Sequence, residues 1–137
     1  MRLFLDTTAF VALEDQDDAN HRKAIDFRQK IGLDETPFRK LYTSNYIIDE
    51  TLTLLRIHCG HSIAVGFHKT LEASKLVTVL WITERVERDA WKIFEKQGDK
   101  DYSFTDCTSF ALMEDEAIRN AFAFDHHFTQ YGFPMAP

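Results

Sequence analysis

Near its amino terminus the chain contains the segment Arg2–Glu14, RLFLDTTAFVALE. The beginning of this segment is a short, mostly apolar run that predicts a strand, and Asp6 follows the run directly. The residues after Asp6 have helical spacing, and we expect Phe10, Val11 and Leu13 to face inward. A strand, an acid and a helix in this order are typical of the first unit of an α/β domain.

The same alternation continues along the rest of the chain. Further helices are predicted over residues 19–31, 45–58, 62–74, 83–98 and 103–115, and further strands over residues 41–43, 76–82 and 119–124. Residues 128–137 are expected to form a closing tail. Strands that alternate with helices imply a parallel sheet with right-handed crossovers, so a doubly wound α/β fold is predicted.

Length and composition predict one domain over residues 1–137. A chain of 137 residues with 45% hydrophobic residues can bury a substantial core, but it is too short for two such cores. Every hydrophobic run is interrupted by charge within about ten residues, so no membrane contact is expected. The first residues reach an acid too early to be the apolar part of a signal peptide, which favours a cytoplasmic protein.

The net charge of −6 argues against a protein that binds nucleic acid through bulk electrostatics. It does not exclude a nuclease, because a cluster of carboxylates reverses its local charge when it binds divalent cations.

Two aspartates are predicted at the carboxyl ends of strands. Asp6 ends the first strand and Asp125 ends the strand over 119–124. In open α/β sheets ligands bind beyond the carboxyl ends of the strands, which places both acids where chemistry usually occurs. A single aspartate after a strand is more often a helix cap or a turn residue, so neither acid decides the function alone.

Glu50 lies within a predicted helix on a largely apolar side. Its neighbours at helical spacing are Tyr46, Leu54 and Ile57. An ionised carboxylate on such a side needs a partner, because burial of an unpaired charge costs on the order of several kcal/mol. That partner is either a metal ion or an arginine or lysine elsewhere in the fold. Asp49 faces a different side and is expected to be solvated.

Asp106 follows Ser103 by three residues, which is the spacing of a capping box. Capping alone therefore explains Asp106 as well as a chemical role does. Several acids at the ends of different elements nevertheless suit Mg²⁺ or Mn²⁺, because these hard cations take oxygen ligands and keep water molecules for chemistry.

Four segments carry a resemblance that covers essentially the whole chain. They are Leu5–Phe10, LDTTAF, then Ile47–Leu52, IIDETL, then Tyr102–Cys107, YSFTDC, and finally Phe124–Phe128, FDHHF. In order and spacing these segments resemble the PIN-domain family, and in particular the VapC-type toxins of bacterial toxin-antitoxin pairs. The region Asp101–Phe133 is the most specific part of the resemblance.

The resemblance implies a three-layer α/β/α fold with a central, mostly parallel sheet. It implies four acids that are both catalytic and ligands of Mg²⁺ or Mn²⁺, namely Asp6, Glu50, Asp106 and Asp125. It also implies small hydroxyl residues that orient these ligands, Thr7, Ser103 and Thr105, with Asp101 assisting at the rim of the site. The implied activity is hydrolysis of phosphodiester bonds in single-stranded or looped RNA. The implied partners are a second copy of the chain and a small antitoxin protein whose tail enters the acidic groove.

Several side chains outside the four acids have two interpretations. Six basic residues of the early chain could contact RNA phosphates or form a solvated helix face, namely Arg22, Lys23, Arg28, Lys30, Arg39 and Lys40. Trp81 and Trp91 could stack on bases, but their spacing favours the core or a subunit interface. His126 and His127 could contact substrate, but solvated loop positions are favoured.

Two other functions compete with the nuclease. The first is a PIN-like interaction module that binds metal without turnover. The second is a phosphatase with Asp6 as an aspartyl nucleophile. Such enzymes have Asp-x-Asp, whereas here Thr8 occupies the second acidic place, which disfavours that alternative.

Overall fold

A computed structural model describes residues 1–137. The chain folds around a sheet of five parallel strands. The strands are β1 (Arg2–Leu5), β2 (Lys40–Ser44), β3 (Val77–Leu80), β4 (Asn120–Phe122) and β5 (Met135–Ala136). The helices are α1 (Thr7–Glu14), α2 (His21–Gly32), α3 (Asn45–Cys59), α4 (His61–Ala73), α5 (Glu84–Lys96), α6 (Phe104–Glu116) and α7 (His127–Tyr131). The predicted α/β class with a parallel sheet is confirmed.

Side chains of the central strands pack against helices on both faces of the sheet. Phe4 of β1 has its ring centroid 6.5 Å from that of Phe128 in α7, which in turn packs edge-on against Phe110 of α6. Phe122 of β4 points to the other face and packs edge-on against Phe27 of α2, with 4.9 Å between ring centroids. Because parallel crossovers are right-handed, α1 to α4 cover one face and α5 to α7 the other. The sheet is therefore the middle layer of three.

The order of the strands creates the crevice in which the candidate site lies. The sheet runs β3-β2-β1-β4-β5, so the chain first adds strands on one side of β1 and then returns to add β4 and β5 on the other side. Ligand sites in such sheets lie at this switch point, beyond the carboxyl ends of the strands. Here the switch point lies between β1 and β4, which Asp6 and Asp125 follow in the sequence.

Local capping confirms where several predicted helices begin. The side chain of Ser44 accepts a hydrogen bond from the backbone of Ile47, so Ser44 is the N-cap of α3. Thr83 caps α5 in the same way through the backbone of Val86.

No helix in the structure combines the length and the apolar character that crossing a bilayer requires.

The carboxyl-terminal third differs from the prediction in two respects. Strand β4 ends at Phe122, so Asp125 stands three residues beyond the strand instead of ending it directly. The strand stops because the backbone N–H of Phe124 donates to the hydroxyl of Thr8 at 3.0 Å and is lost to the sheet ladder. The predicted closing tail contains most of helix α7 and the strand β5, which pairs in parallel with β4.

Candidate active site

Asp6 occupies the first position after β1 and is the N-cap of α1. The residue is 3% exposed, and its Oδ2 atom accepts hydrogen bonds from the backbone of Thr8 at 3.1 Å and from the Thr8 hydroxyl at 2.6 Å. Its backbone N–H donates to the carbonyl of Phe122 at 3.1 Å, which attaches the acid to β4 as well. Capping and sheet pairing thus hold Asp6 rigidly at the switch point.

The environment of Asp6 disfavours its charged form. Burial raises the pKa of Asp6 from 3.8 to about 7, and the two hydrogen bonds from Thr8 reduce the rise. The nearby carboxylates of Asp106 and Glu50 raise this pKa further. No arginine or lysine is among the groups that act on Asp6, so nothing in the protein neutralises its charge.

Glu50 reaches the same pocket from the second turn of α3. Its pKa is raised, first by burial and then by the carboxylates of Asp106 and Asp125, while the hydroxyl of Thr7 lowers it. No arginine or lysine pairs with Glu50, so a basic partner of this kind is not found. Asp49, the next acid along the chain, is exposed as predicted.

Asp106 has the predicted capping role and also belongs to the pocket. Its Oδ2 atom accepts a hydrogen bond from the backbone of Ser103 at 3.1 Å, and its own backbone donates to the Ser103 hydroxyl at 3.0 Å. The same Oδ2 atom lies 3.1 Å from Nδ1 of His127. Burial is the main reason that the pKa of Asp106 is raised, and Asp125 adds to the rise. The two interpretations of Asp106 are therefore compatible.

Asp125 approaches the pocket from the loop between β4 and α7. Its Oδ1 atom accepts a hydrogen bond from the backbone of His127 at 2.9 Å and lies 3.1 Å from Nδ1 of the same residue. Asp125 also acts electrostatically on Glu50 and on Asp106. The structure thus brings together all four acids that the sequence analysis singled out.

The three aspartates share one arrangement of their oxygens. In each, one oxygen is held by the protein and the other makes no hydrogen bond: Asp6 is held through Oδ2, Asp106 through Oδ2 and Asp125 through Oδ1. Neither oxygen of Glu50 makes a hydrogen bond that meets strict geometry. Free carboxylate oxygens in a partly buried pocket without a basic partner are the donor set that hard divalent cations prefer.

The hydroxyl of Thr7 supports the same interpretation. It is buried and has no hydrogen-bond partner of good geometry, although it lies close enough to Glu50 to lower the pKa of that carboxyl. The two side chains are therefore adjacent without a well-formed hydrogen bond between them. An unpartnered buried hydroxyl beside free carboxylates is suited to binding a water molecule or an ion ligand.

The carboxylate oxygens of the four acids lie farther apart than the ligand atoms of an ion that is bound by protein atoms alone. The three-residue group with potential ligand atoms within 4.8 Å of one another is Asp125, His126 and His127, and no trio of the four acids is as compact. Asp6, Glu50, Asp106 and Asp125 would hold an ion in the pocket together with water molecules, which Mg²⁺ commonly keeps in proteins. The residues present fit such an ion.

Sequence reasoning missed two residues that organise the pocket. Thr8 holds Asp6 and was considered only as the reason to disfavour a phosphatase. His127 was expected to be solvated, but its side chain is only 16% exposed and lies against two of the acids, so that prediction is wrong. The prediction for His126 is confirmed, since its side chain is 78% exposed. The signal in both missed cases is a polar residue two positions after an acid, where side chains commonly meet local backbone groups.

The three remaining sequence candidates are Ser103, Thr105 and Asp101. Ser103 contacts Asp106 as expected. Thr105 contributes only its backbone carbonyl, which accepts from Thr108, and Asp101 is exposed and makes no hydrogen bond or ion pair. That these three residues orient the metal ligands stays a prediction.

Aromatic and basic surface residues are exposed. Trp81 is 73% exposed and Trp91 is 54% exposed, so the prediction of core positions is wrong and that of a subunit interface stays a prediction. The six basic residues of the early chain are all exposed, and none contacts the four acids. The contact of these residues with RNA phosphates stays a prediction.

A separate apolar cleft of about 270 Å³ lies on the face of the sheet covered by α1, α2 and α4. Its apolar walls include Phe10, Leu13, Ile31, Phe67 and Leu71. None of the four acids lines it, so this cleft is distinct from the acidic pocket.

Comparisons with known proteins show the family of the chain. Residues 3–134 match the PIN domain family. The chain belongs to the PIN-domain family. Within this family it is a VapC-type endoribonuclease toxin: it is 37% identical over 131 residues to the "23S rRNA-specific endonuclease VapC20" of Mycobacterium tuberculosis, a match that covers 96% of this chain and 95% of that protein. A "VapC ribonuclease" of Archaeoglobus fulgidus is 26% identical over 120 residues, which are 87% of this chain and 74% of that protein.

Two solved structures confirm the fold. The crystal structure of Mycobacterium tuberculosis VapC20, described as a "Sarcin-Ricin loop cleaving toxin", superposes with a TM-score of 0.84 at 36% identity and covers 96% of this chain and 95% of that chain. The crystal structure of FitAcB from Neisseria gonorrhoeae superposes with a TM-score of 0.70 at 17% identity, over 100% of this chain and 97% of that chain. The second similarity shows the fold alone. The PIN-like, three-layer prediction is confirmed.

Proposed function

We propose that this PIN-domain protein hydrolyses RNA phosphodiester bonds with the help of Mg²⁺ or Mn²⁺. In this proposal Asp6, Glu50, Asp106 and Asp125 are the catalytic acids and the metal ligands. The observation that supports it is the convergence of four carboxylates with free oxygens and without an arginine or lysine to balance them. Such a pocket is unfavourable for the protein unless a cation shares it.

The chain's own residues prepare the pocket for substrate. Thr8, Ser103 and His127 hold one oxygen of each aspartate, so that the other oxygen makes no competing hydrogen bond. The uncompensated negative charge repels an RNA phosphate, so binding of the RNA backbone depends on cations. A bound divalent ion would lower the pKa of its coordinated water and would stabilise the negative charge on the leaving oxygen.

For the substrate we propose a structured loop of 23S ribosomal RNA. The support is the specificity of VapC20 for 23S rRNA together with 37% identity over 96% of this chain. Two further partners, a second copy of the chain and a small antitoxin protein, are proposed from the resemblance to VapC-type toxins.

The test is cleavage of 23S ribosomal RNA by the purified protein. We expect cleavage with Mg²⁺ or Mn²⁺, none with a chelator, and none by Asp6→Asn under any of these conditions. Asp49→Asn is the matched control, because Asp49 is an exposed acid next to Glu50 and should retain full activity. Cleavage that survives the chelator or Asp6→Asn would contradict the proposal. Binding of Mn²⁺ without cleavage of any RNA would favour the interaction module.

A further inference from the structure

His127 lies between two acids of the pocket. Its Nδ1 atom is 3.1 Å from Oδ2 of Asp106 and 3.1 Å from Oδ1 of Asp125. Asp106 is at the start of α6 and Asp125 is in the loop after β4, so the imidazole bridges two separate elements of the fold. No other side chain contacts both acids at such distances.

The position of the His127 ring is determined on several sides. Its backbone N–H donates to Oδ1 of Asp125 at 2.9 Å, which fixes the start of the side chain. The ring packs edge-on against Tyr102, with 5.4 Å between centroids and 84° between ring planes. The side chain is 16% exposed. A ring restrained in this way loses little further freedom when it holds the two acids.

The chemistry of the contact defines what Nδ1 must do. Ionised carboxylate oxygens can only accept hydrogen bonds, so with Asp106 and Asp125 ionised Nδ1 carries a proton and donates it towards both. This holds for either charge state of the ring. Two like-charged carboxylates otherwise repel each other, and no arginine or lysine is present to hold them.

We propose that His127 is a positioning residue that holds Asp106 and Asp125 in the orientation in which they would bind a divalent cation. The inference rests on the proposed metal-dependent function. His127 acts through the two acids and not on the RNA itself. Groups that orient metal ligands in this way typically change metal affinity or activity by about 10- to 100-fold when they are removed.

Amide side chains test which ring atom matters. An asparagine amide can place its N–H near the position of Nδ1, whereas a glutamine amide reaches the position of Nε2. We therefore expect His127→Asn to retain most of the function, and His127→Gln and His127→Ala to lose it. His126→Ala is the matched control, because the neighbouring imidazole is 78% exposed and its Nδ1 is 3.9 Å from Asp125.

The main experiment is calorimetric titration of the full-length protein with Mn²⁺ in the absence of RNA. We expect the Kd for Mn²⁺ to rise about 10- to 100-fold in His127→Ala and His127→Gln, to rise less than about threefold in His127→Asn, and to be unchanged in His126→Ala. Circular dichroism of each metal-free variant shows whether it is folded. In RNA cleavage at saturating Mn²⁺, we expect kcat to fall in the same order while KM for RNA stays within about twofold.

The outcomes separate this inference from the function on which it rests. If the parent protein binds no Mn²⁺, the proposed metal dependence fails. If the parent binds Mn²⁺ and folded His127→Ala binds it equally well or more tightly, the positioning role fails and the proposed function stands. Folded His127→Asn that is as defective as His127→Ala would also overturn the inference, since a donor at the Nδ1 position would then be insufficient.

Discussion

The hydroxyl of Thr8 donates a 2.6 Å hydrogen bond to Oδ2 of Asp6. The hydroxyl oxygen of Thr8 accepts a hydrogen bond from the backbone N–H of Phe124 at 3.0 Å, so the side chain of Thr8 joins the acid after β1 to the segment that leaves β4. Asp125 follows Phe124 directly in the chain. Thr8 therefore helps to set the distance between two of the four acids.

Replacing Thr8 with valine should weaken both the fold and the site. Valine has nearly the same shape but leaves Asp6 without one hydrogen bond and the Phe124 N–H without a partner, so we expect a loss of about 1–3 kcal/mol in the free energy of unfolding. Thr8→Ser keeps the hydroxyl and should lose much less. Urea unfolding in chelator, combined with RNA cleavage, measures both effects. A Thr8→Val protein as stable and active as the parent would show that the bridge has no role.

Asp6→Asn should make the metal-free protein more stable at alkaline pH. The folded-state pKa of Asp6, about 7, lies above its ordinary value of 3.8. Between these values the folded state binds the proton more strongly than the unfolded state, so the contribution of Asp6 to stability falls as pH rises and is lowest above about pH 7. Asparagine removes this dependence and can still accept the hydrogen bonds from Thr8.

We therefore expect the stability gain of Asp6→Asn over the parent to be larger at about pH 8 than at about pH 5, by on the order of 1 kcal/mol or more. Chemical denaturation in chelator at both pH values measures the difference. If Asp6→Asn is instead less stable than the parent at the higher pH, the Asp6 carboxylate has a structural role.

Divalent cations should stabilise the parent protein against heat. When the concentration of an ion that binds the folded state is about one hundred times its Kd, binding adds about 2.7 kcal/mol to the free energy of unfolding. Carboxylates must lose their protons to bind the ion, and the pKa values of Asp6, Glu50 and Asp106 are raised, so the gain in Tm should increase as pH rises through about 7. Thermal melts with Mn²⁺ or chelator measure it. An equal gain in Asp6→Asn would place the bound ion outside the acidic pocket.

Two adjacent acids on α3 should differ sharply in function. Glu50 is partly buried beside Asp106 and Asp125, whereas Asp49 is exposed. We expect Glu50→Gln to reduce kcat for RNA cleavage by at least about 100-fold, and Asp49→Asn to leave it within about twofold of the parent. Steady-state cleavage assays at saturating Mn²⁺ measure kcat for both variants. If Asp49→Asn loses more activity than Glu50→Gln, the metal ligand is Asp49 and not Glu50.

Local sequence signals predicted most of the fold. Hydrophobic periodicity located the helices that begin at Thr7 and at Asn45, and the capping box of Ser103 with Asp106 located the start of α6 correctly. These signals work because capping and burial of one face act within a few residues. The end of β4 was wrong because Thr8, which is 116 residues from Phe124, takes the hydrogen bond that would have extended the strand. Strand β5 was missed because two residues are too short for a periodic pattern.

The sequence by itself determined that acids follow parallel strands and begin helices, because strand, cap and helix patterns are local and the carboxyl ends of parallel strands lie at one edge of the sheet. Only the tertiary structure decided which oxygen of each acid is held and which is free. That depends on contacts such as His127 with Asp106, 21 residues apart, and Thr8 with Phe124. The Thr8–Phe124 contact exists because β1 and β4 are neighbours in the sheet, and pairing between distant strands leaves no signal in a single sequence.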